Sequence, residues 1–293
     1  MAKVSVGEAV RSMAAPDAAM VKRLLEQGMM IPAQPRVLEE LRQHLQKREF
    51  DVRVLSRIIH SDPGMVAMLF KACNNAAYRQ HQPFDSVEGI LHAVGVRQTF
   101  NLVQAISLAS LQDAKHNRET YEAFWARSHA VAQLAMLVAD DRITVCNIFP
   151  DQAFLAGMFH DCGVPLLMRR FPSYCGEMKL NEPGRWINLA DEDKKFFADH
   201  CVVGFLVAKH WNMPEFICDA IRNHHEIGRL GMHASRSMVA ILQMAIHLYY
   251  KDLAIPNPEW EAAQEDVLGE LGLHEDALPE FIDVMLERFH AQT

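Results

Sequence analysis

The adjacent pair His160-Asp161 is the most chemically loaded dipeptide in the chain: it closes the apolar run Ala153-Phe154-Leu155-Ala156-Gly157-Met158-Phe159 and precedes Cys162-Gly163. A carboxylate at the end of a buried face requires a cation or hydrogen-bond donors, because isolating its charge from water is costly. Neighbouring helical residues point about 100° apart, so both side chains meet one ion only at the edge of that face. Three further imidazoles come from two other segments: His200, with Gly204 four residues on leaving room for a neighbouring helix, and His224-His225, closing a segment opened by Met213-Pro214. Imidazoles and a carboxylate drawn from separate helices are the ligand set a divalent-metal site in a helical bundle needs. Such a site polarises a phosphate and lowers the pKa of a bound water.

Against this stands the ordinary fate of histidine. The chain holds 15 of them, and His44, His60, His81, His92, His116, His210, His233, His247, His274 and His290 stand singly, as satisfied core or surface residues usually do. The methionines Met13, Met20, Met29 and Met30 are read in the same way, as packing and not as a binding groove.

The elements that must position the cluster are helices. Apolar residues recur at three- and four-residue steps nearly throughout, and strict alternation over a strand's length is hard to find. Helices are expected near 17–28, 35–48, 51–61, 97–115, 119–140, 150–170, 193–211, 214–227, 233–251, 258–271 and 277–290. Asp62-Pro63 supplies a cap before a first-turn proline, and Asp85 with Glu88 makes a capping-box pattern ahead of a short helix that Gly95 closes. The stretch 172–190, with Pro172, Asn181, Pro183 and Gly184, reads as a loop. The polar run 112–120 marks a subdomain boundary, after which all the clustered candidate ligands fall. The expected fold is all-α and multi-helical in two subdomains: an N-terminal extension at 1–30, a helical subdomain at 31–118, a second at 119–252, and C-terminal helices at 253–293. The extension is either a helix packed on the body or a docking arm.

Composition narrows the function. With 293 residues, half of them apolar, a sizeable core is within reach. The balance of 29 basic against 37 acidic residues, net -8, argues against a protein that grips nucleic acid through its phosphates. Six cysteines without a Cys-x-x-Cys pair, no apolar run of about 18 residues and no secretory leader point to reduced thiols, a cytoplasmic location and no membrane partner.

Several segments in order carry a resemblance. They are Ile31-Pro32-Ala33-Gln34-Pro35; His60-Ser61-Asp62-Pro63-Gly64-Met65 followed by Ala72-Cys73-Asn74-Asn75-Ala76-Ala77-Tyr78; and Ser86-Val87-Glu88-Gly89-Ile90 running to Val94-Gly95. The second half adds Trp125-Ala126-Arg127-Ser128, the His160-Asp161 segment, His200-Cys201-Val202-Val203-Gly204, Trp211-Asn212-Met213-Pro214 and Ile221-Arg222-Asn223-His224-His225. Together they resemble the HDOD family, the HD-related output domain of bacterial signalling proteins, over nearly the whole chain.

The resemblance implies an all-α fold related to the HD phosphohydrolases, whose catalytic members hold divalent metal on a His, a His-Asp pair and a distant Asp. By that mapping His160, Asp161, His200, His224 and His225 match ligand-type positions. Arg127 stands where the first histidine belongs, and Ile246 where the last aspartate belongs. His129 lies two residues beyond Arg127, about 200° around the helix, and cannot substitute for it. Replacing an imidazole and a carboxylate with a fixed cation and an apolar branch should lower metal affinity, and Arg127 is expected to pair with Asp161. The expectation is a non-catalytic signal-transduction or regulatory module, binding a signalling protein or a small ligand in its cleft, with no cofactor unless the residual site takes Mn, Fe, Mg or Zn. The alternative is a metal-dependent phosphohydrolase acting on nucleotides or cyclic dinucleotides, with Arg127 on the substrate phosphate.

Overall fold

The computed structural model describes residues 5–47, 49–74, 83–110, 118–180, 182, 187–229 and 234–291, and among these every regular element is a helix. The chain divides into two compact units: Met1–Ala33 with Gln112–Leu286, and Gln34–Leu111 with Glu287–Thr293.

The first unit opens with α1 (Val6–Arg11) and α2 (Ala15–Glu26). A reciprocal Ser5/Glu8 capping box starts α1, and α2 begins with Pro16 in its first turn, where the missing N–H costs nothing. The second unit then runs through α3 (Arg36–Leu45), α4 (Val52–His60), α5 (Pro63–Cys73), α6 (Val87–Ala93) and α7 (Val96–Ala109). Its core is aliphatic: Leu38, Leu55, Ile59, Leu69, Ile90 and Val103 are each at most 1 % exposed. Asp62 caps α5 by accepting from Met65 N, as its sequence signature suggests. The cap of α6 is Ser86, one residue beyond the expected Asp85, because the Ser86 hydroxyl takes the Gly89 N–H. Gly95 follows in the left-handed region at φ +89°, a conformation that favours glycine.

The first unit resumes with α8 (Arg118–Asp141), α9 (Ile143–Cys146), α10 (Pro150–Phe159), α11 (Val164–Arg170), α12 (Tyr174–Glu177), α13 (Leu189–Phe196), α14 (His200–His210), α15 (Glu215–Asn223), α16 (Ala234–Asp252) and α17 (Trp260–Leu271). The last helix among the described residues is α18 (Leu278–His290). Helices α8, α10 and α16 pack together through small residues. A Cβ on Gly157 would lie 2.5 Å from the Ala132 Cα, so α10 approaches α8 this closely only with glycine there. In α16 the buried set Met238, Val239, Ala240, Ile241 and Leu242 covers a full turn, which makes it an internal helix.

Two expected helices are broken, and the breaks matter. The segment 150–170 is interrupted at His160–Gly163, because Pro165 and Gly163 start a new helix there. The segment 193–211 is interrupted at Phe197, which takes a left-handed φ of 49°, before Asp199 caps α14 by accepting from Cys201 N and Val202 N. The stretch 172–190 contains the short α12 and the start of α13, where a loop is expected. The polar run at 112–117, the segment Asn75 to Tyr78, and His81, His116 and His233 lie outside the described residues.

The N-terminal helices are packed on the first unit. Ala9 and Val21 form a buried cluster with Val202 and Leu206 of α14, with Met13 and Met20 against its edge. Arg222 of α15 donates from Nε and Nη2 to both oxygens of Asp17, at 2.8 and 3.0 Å.

Candidate metal centre

Each clustered ligand-type residue sits where a helix starts or stops. His160 caps the end of α10 and Asp161 follows it, so the change of backbone direction lets both side chains face inward. His200 opens α14, and His224-His225 follow α15. The turn after Asp161 lies so close to α14 that a Cβ on Gly163 would come within 2.1 Å of the His200 carbonyl oxygen. Glycine at 163 is therefore what permits Asp161 and His200 to meet.

The structure brings all five residues together. His200 Nε2 and His224 Nε2 lie 3.1 and 3.2 Å from Asp161 Oδ1, and His160 Nε2 lies 3.3 Å from Asp161 Oδ2. His225 Nε2 lies 3.2 Å from His200 Nε2. His160, Asp161, His200 and His224 are each at most 1 % exposed. Cys201 adds a thiol 3.5 Å from His200 Nε2.

The opposite edge of every ring is fixed. His160 Nδ1 donates to Gly157 O at 2.7 Å and His224 Nδ1 to Ile221 O at 2.9 Å. His200 Nδ1 faces Glu192 Oε2 at 2.8 Å, and His225 Nδ1 faces Glu259 Oε2 at 2.7 Å. With the proton on Nδ1 in each case, His160, His200 and His224 turn Nε2 toward Asp161 and His225 turns Nε2 toward His200, an arrangement of facing lone pairs that repels itself unless a cation or extra protons lie between. Asp161 Oδ1 and His224 Nε2 are buried without a well-aligned hydrogen bond despite their 3.2 Å separation. By this test the residues present fit a divalent cation, and the nitrogen-rich set with one carboxylate suits Zn, Fe or Mn better than Mg.

Electrostatics agree in sign. Burial pushes the Asp161 carboxyl up, but the charge on His160 and the close approach of the His160, His200 and His224 rings outweigh it and hold the group well below the usual carboxylate range. Burial pulls His200 down, but the charges of Cys201 and Glu192 and the hydrogen bond to Asp161 raise it well above the ordinary imidazole value.

The two replaced positions are also placed. Arg127, on α8, has Nη2 3.5 Å from Asp161 Oδ2, a distance at the outer limit of a hydrogen bond. Its guanidinium also lies 5.5 Å over the Phe124 ring. Ile246 is buried on α16, one turn beyond Gln243, whose Nε2 donates to His224 O at 2.9 Å. It lines a cavity of about 30 Å³ with Tyr250, Asn188 and Glu259. His129 packs edge-on to Phe154.

Sequence reasoning missed the outer layer. Glu192 is fully buried, accepting from His200 N at 3.0 Å, from His200 Nδ1 and from the Tyr174 hydroxyl. It lies between Asp191 and Asp193 and before two lysines, so nothing in residue type separates it from a solvated helix face. Glu259 was hidden for a different reason: half-exposed between Pro258 and Trp260, just before α17, it reads as an ordinary helix-start residue.

A family model, the HDOD domain, matches residues 31–227. Among curated proteins, an uncharacterised protein of Treponema pallidum (strain Nichols) is 21% identical over 203 residues, 67% of this chain and 38% of that relative's length. Three solved structures share the fold. A candidate metal-dependent phosphohydrolase from Shewanella amazonensis SB2B aligns with a TM-score of 0.68 at 17% identity, covering 94% of this chain and 95% of its own. An HDOD domain protein of unknown function from Geobacter sulfurreducens gives 0.68 at 21%, over 93% and 95%. A candidate signal transduction protein from Marinobacter aquaeolei VT8 gives 0.67 at 16%, over 98% and 67%.

Proposed function

Because the chain belongs to the HDOD domain family, we propose that it is a non-catalytic regulatory module of signal transduction whose metal-type centre organises the helices and does not turn over substrate. The observation that carries this reading is the Arg127 guanidinium beside Asp161, in a centre whose carboxylate and three imidazoles are at most 1 % exposed. An arginine cannot shed its charge, so it opposes a divalent ion next to the only carboxylate of the inner cluster. A catalytic metal also needs a coordination position open to substrate, whereas enclosed ligands are the mark of a structural site.

When bound, a divalent ion held by His160, Asp161, His200, His224 and His225 would supply Lewis acidity toward a phosphate and a more acidic water. The chain's own residues do the orienting. Glu192 and Glu259 fix the tautomers of His200 and His225, the Gly157 and Ile221 carbonyls fix those of His160 and His224, and Gln243 anchors the turn that carries His224. Output then runs through the helical surface, to a signalling protein or a small ligand; the Marinobacter structure carries the name of a candidate signal transduction protein.

The four inward Nε2 atoms favour one competing reading, a metal-dependent phosphohydrolase of nucleotides or cyclic dinucleotides in which Arg127 binds the substrate phosphate. A phosphodiesterase assay on purified full-length chain with added manganese separates the two. The regulatory reading expects no turnover above the metal-only rate, and turnover that Asp161→Asn abolishes would overturn it.

A further inference from the structure

A second cavity, of about 240 Å³, opens in the same unit where the end of α2 meets the end of α11. Gln27, Gly28 and Met29 line one side, and Leu166, Arg169 and Arg170 the other. Among the described residues the lining holds two guanidinium groups and no carboxylate. In a chain of net charge -8, two uncompensated cations at one concavity are a local reversal of the field.

The arginines are not occupied elsewhere. Arg170 Nε is buried without a hydrogen-bond partner, and its guanidinium lies 5.0 Å over the Phe171 ring, which holds it flat. Among the described residues neither Arg169 nor Arg170 has an ion pair. Capping of helix ends does not explain them either. The last turn of α2 is closed by its own backbone, with Gly28 N on Leu25 O and Met29 N on Leu24 O, and Phe171 N closes α11 on Leu167 O.

Two fixed cations call for a ligand with two negative charges, and a planar guanidinium pair matches the oxygens of a phosphate. Met29 and Leu166 are buried and present a thioether and an aliphatic surface, which suits a compact organic body. A volume of about 240 Å³ falls just below the usual range of small-molecule sites, roughly 300–1,000 Å³, so the occupant is small. We propose that this cavity binds a compact organic phosphomonoester, its phosphate dianion on Arg169 and Arg170 and its body against Met29 and Leu166. The site shares no residue with the metal-type centre, and the proposal stands whether or not that centre is catalytic.

The test is equilibrium dialysis of the full-length chain against phenyl phosphate in the presence of EDTA, with inorganic phosphate and phenol as separate probes. The expected result is saturable binding of one phenyl phosphate per chain, weaker binding of inorganic phosphate and none of phenol. Arg169→Gln with Arg170→Gln is expected to weaken binding by about tenfold or more, with an unchanged circular dichroism spectrum. Arg36→Gln, at an exposed arginine paired with Glu40, and His225→Gln are expected to leave it unchanged. Failure of phenyl phosphate to saturate, equal affinity in the doubly substituted protein, or a loss confined to His225→Gln would each overturn the proposal. If the doubly substituted protein does not fold, Arg170→Lys takes its place: it keeps the charge and loses the fork, and an undiminished affinity there overturns the proposal equally.

Discussion

His200 and His225 approach each other to 3.2 Å through their Nε2 atoms, while the Nδ1 of each is held from behind by a separate carboxylate, Glu192 and Glu259. Two ring nitrogens at this distance, with their other protons already committed, define a point between helices α14 and α15 where positive charge is wanted. The same relationship ties the centre to the architecture, because it exists only while Glu192, on α13, stays under the first turn of α14.

Glu192 therefore has a structural cost that its sequence context conceals. Glu192→Ala leaves the Tyr174 hydroxyl, His200 N and His200 Nδ1 buried without their acceptor, and should destabilise the protein by about 3 kcal/mol. Glu192→Gln keeps one acceptor oxygen and should cost about half as much. Urea unfolding curves of the three proteins check the order.

Gly163 should tolerate no side chain. A Cβ there would meet the His200 carbonyl oxygen at 2.1 Å, and backbone on both sides leaves nothing flexible to yield. Gly163→Ala is expected to cost about 2 to 4 kcal/mol, whereas Gly176→Ala, with nothing within 4 Å of the added methyl, should be close to neutral. Melting temperatures of the two variants against the parent give the comparison.

His247 makes stability depend on pH away from the centre. Its ring stacks on Trp260 at 3.7 Å, and burial, with help from the charge of Lys251, lowers its pKa from 6.5 to about 4. The folded state thus favours the neutral ring, so this contribution is intact above pH 6.5 and is lost as pH falls from about 6.5 toward 4. Between pH 7.5 and 4.5 the parent should lose about 2 kcal/mol more than His247→Gln, in which the titrating group is gone. An equal loss in both proteins, measured by urea unfolding, would remove His247 from the account.

The N-terminal helices should be held by one charged contact as well as by packing. Asp17→Asn and Arg222→Met should show a coupling of about 1 to 2 kcal/mol in a double-mutant cycle, because the pair is bidentate and largely buried. Hydrogen exchange in α2 should accelerate in each single variant, and unchanged protection would mean that the contacts around Val21 and Leu206 suffice.

Much of the fold was legible because helix periodicity survives in the sequence: Leu38, Leu41, Leu55 and Ile59 fall on buried faces at helical spacing, and Asp62 with Pro63 starts a helix where the pair predicts one. The breaks were harder. Phe197 gives no hint of its left-handed backbone, and the interruption at His160–Gly163 follows an apolar pattern that would continue a helix were it not for the glycine and Pro165. Ligand-type residues could be picked out because histidine and aspartate beside apolar runs are uncommon enough to notice. Glu192 could not, since an acidic residue among acidic residues carries no sign of burial until the tertiary contacts exist, and Glu259, half-exposed between Pro258 and Trp260, shows its role only once His225 is brought against it. The sequence reading of Met29 and Met30 as plain packing is too narrow: Met29 is buried but lines the cavity beside Arg169 and Arg170, and Met30 is 65% exposed at its rim.

The central claim is that Arg127 and Ile246 leave the centre unable to turn over a phosphoester. It is tested most directly by comparing the parent chain with Arg127→His/Ile246→Asp in one assay, hydrolysis of bis(p-nitrophenyl) phosphate under added manganese, with bound metal measured on the same samples. The account predicts a parent rate indistinguishable from the metal-only rate, and tighter manganese binding in the doubly substituted protein. Hydrolysis by the parent chain that disappears in Asp161→Asn would contradict it.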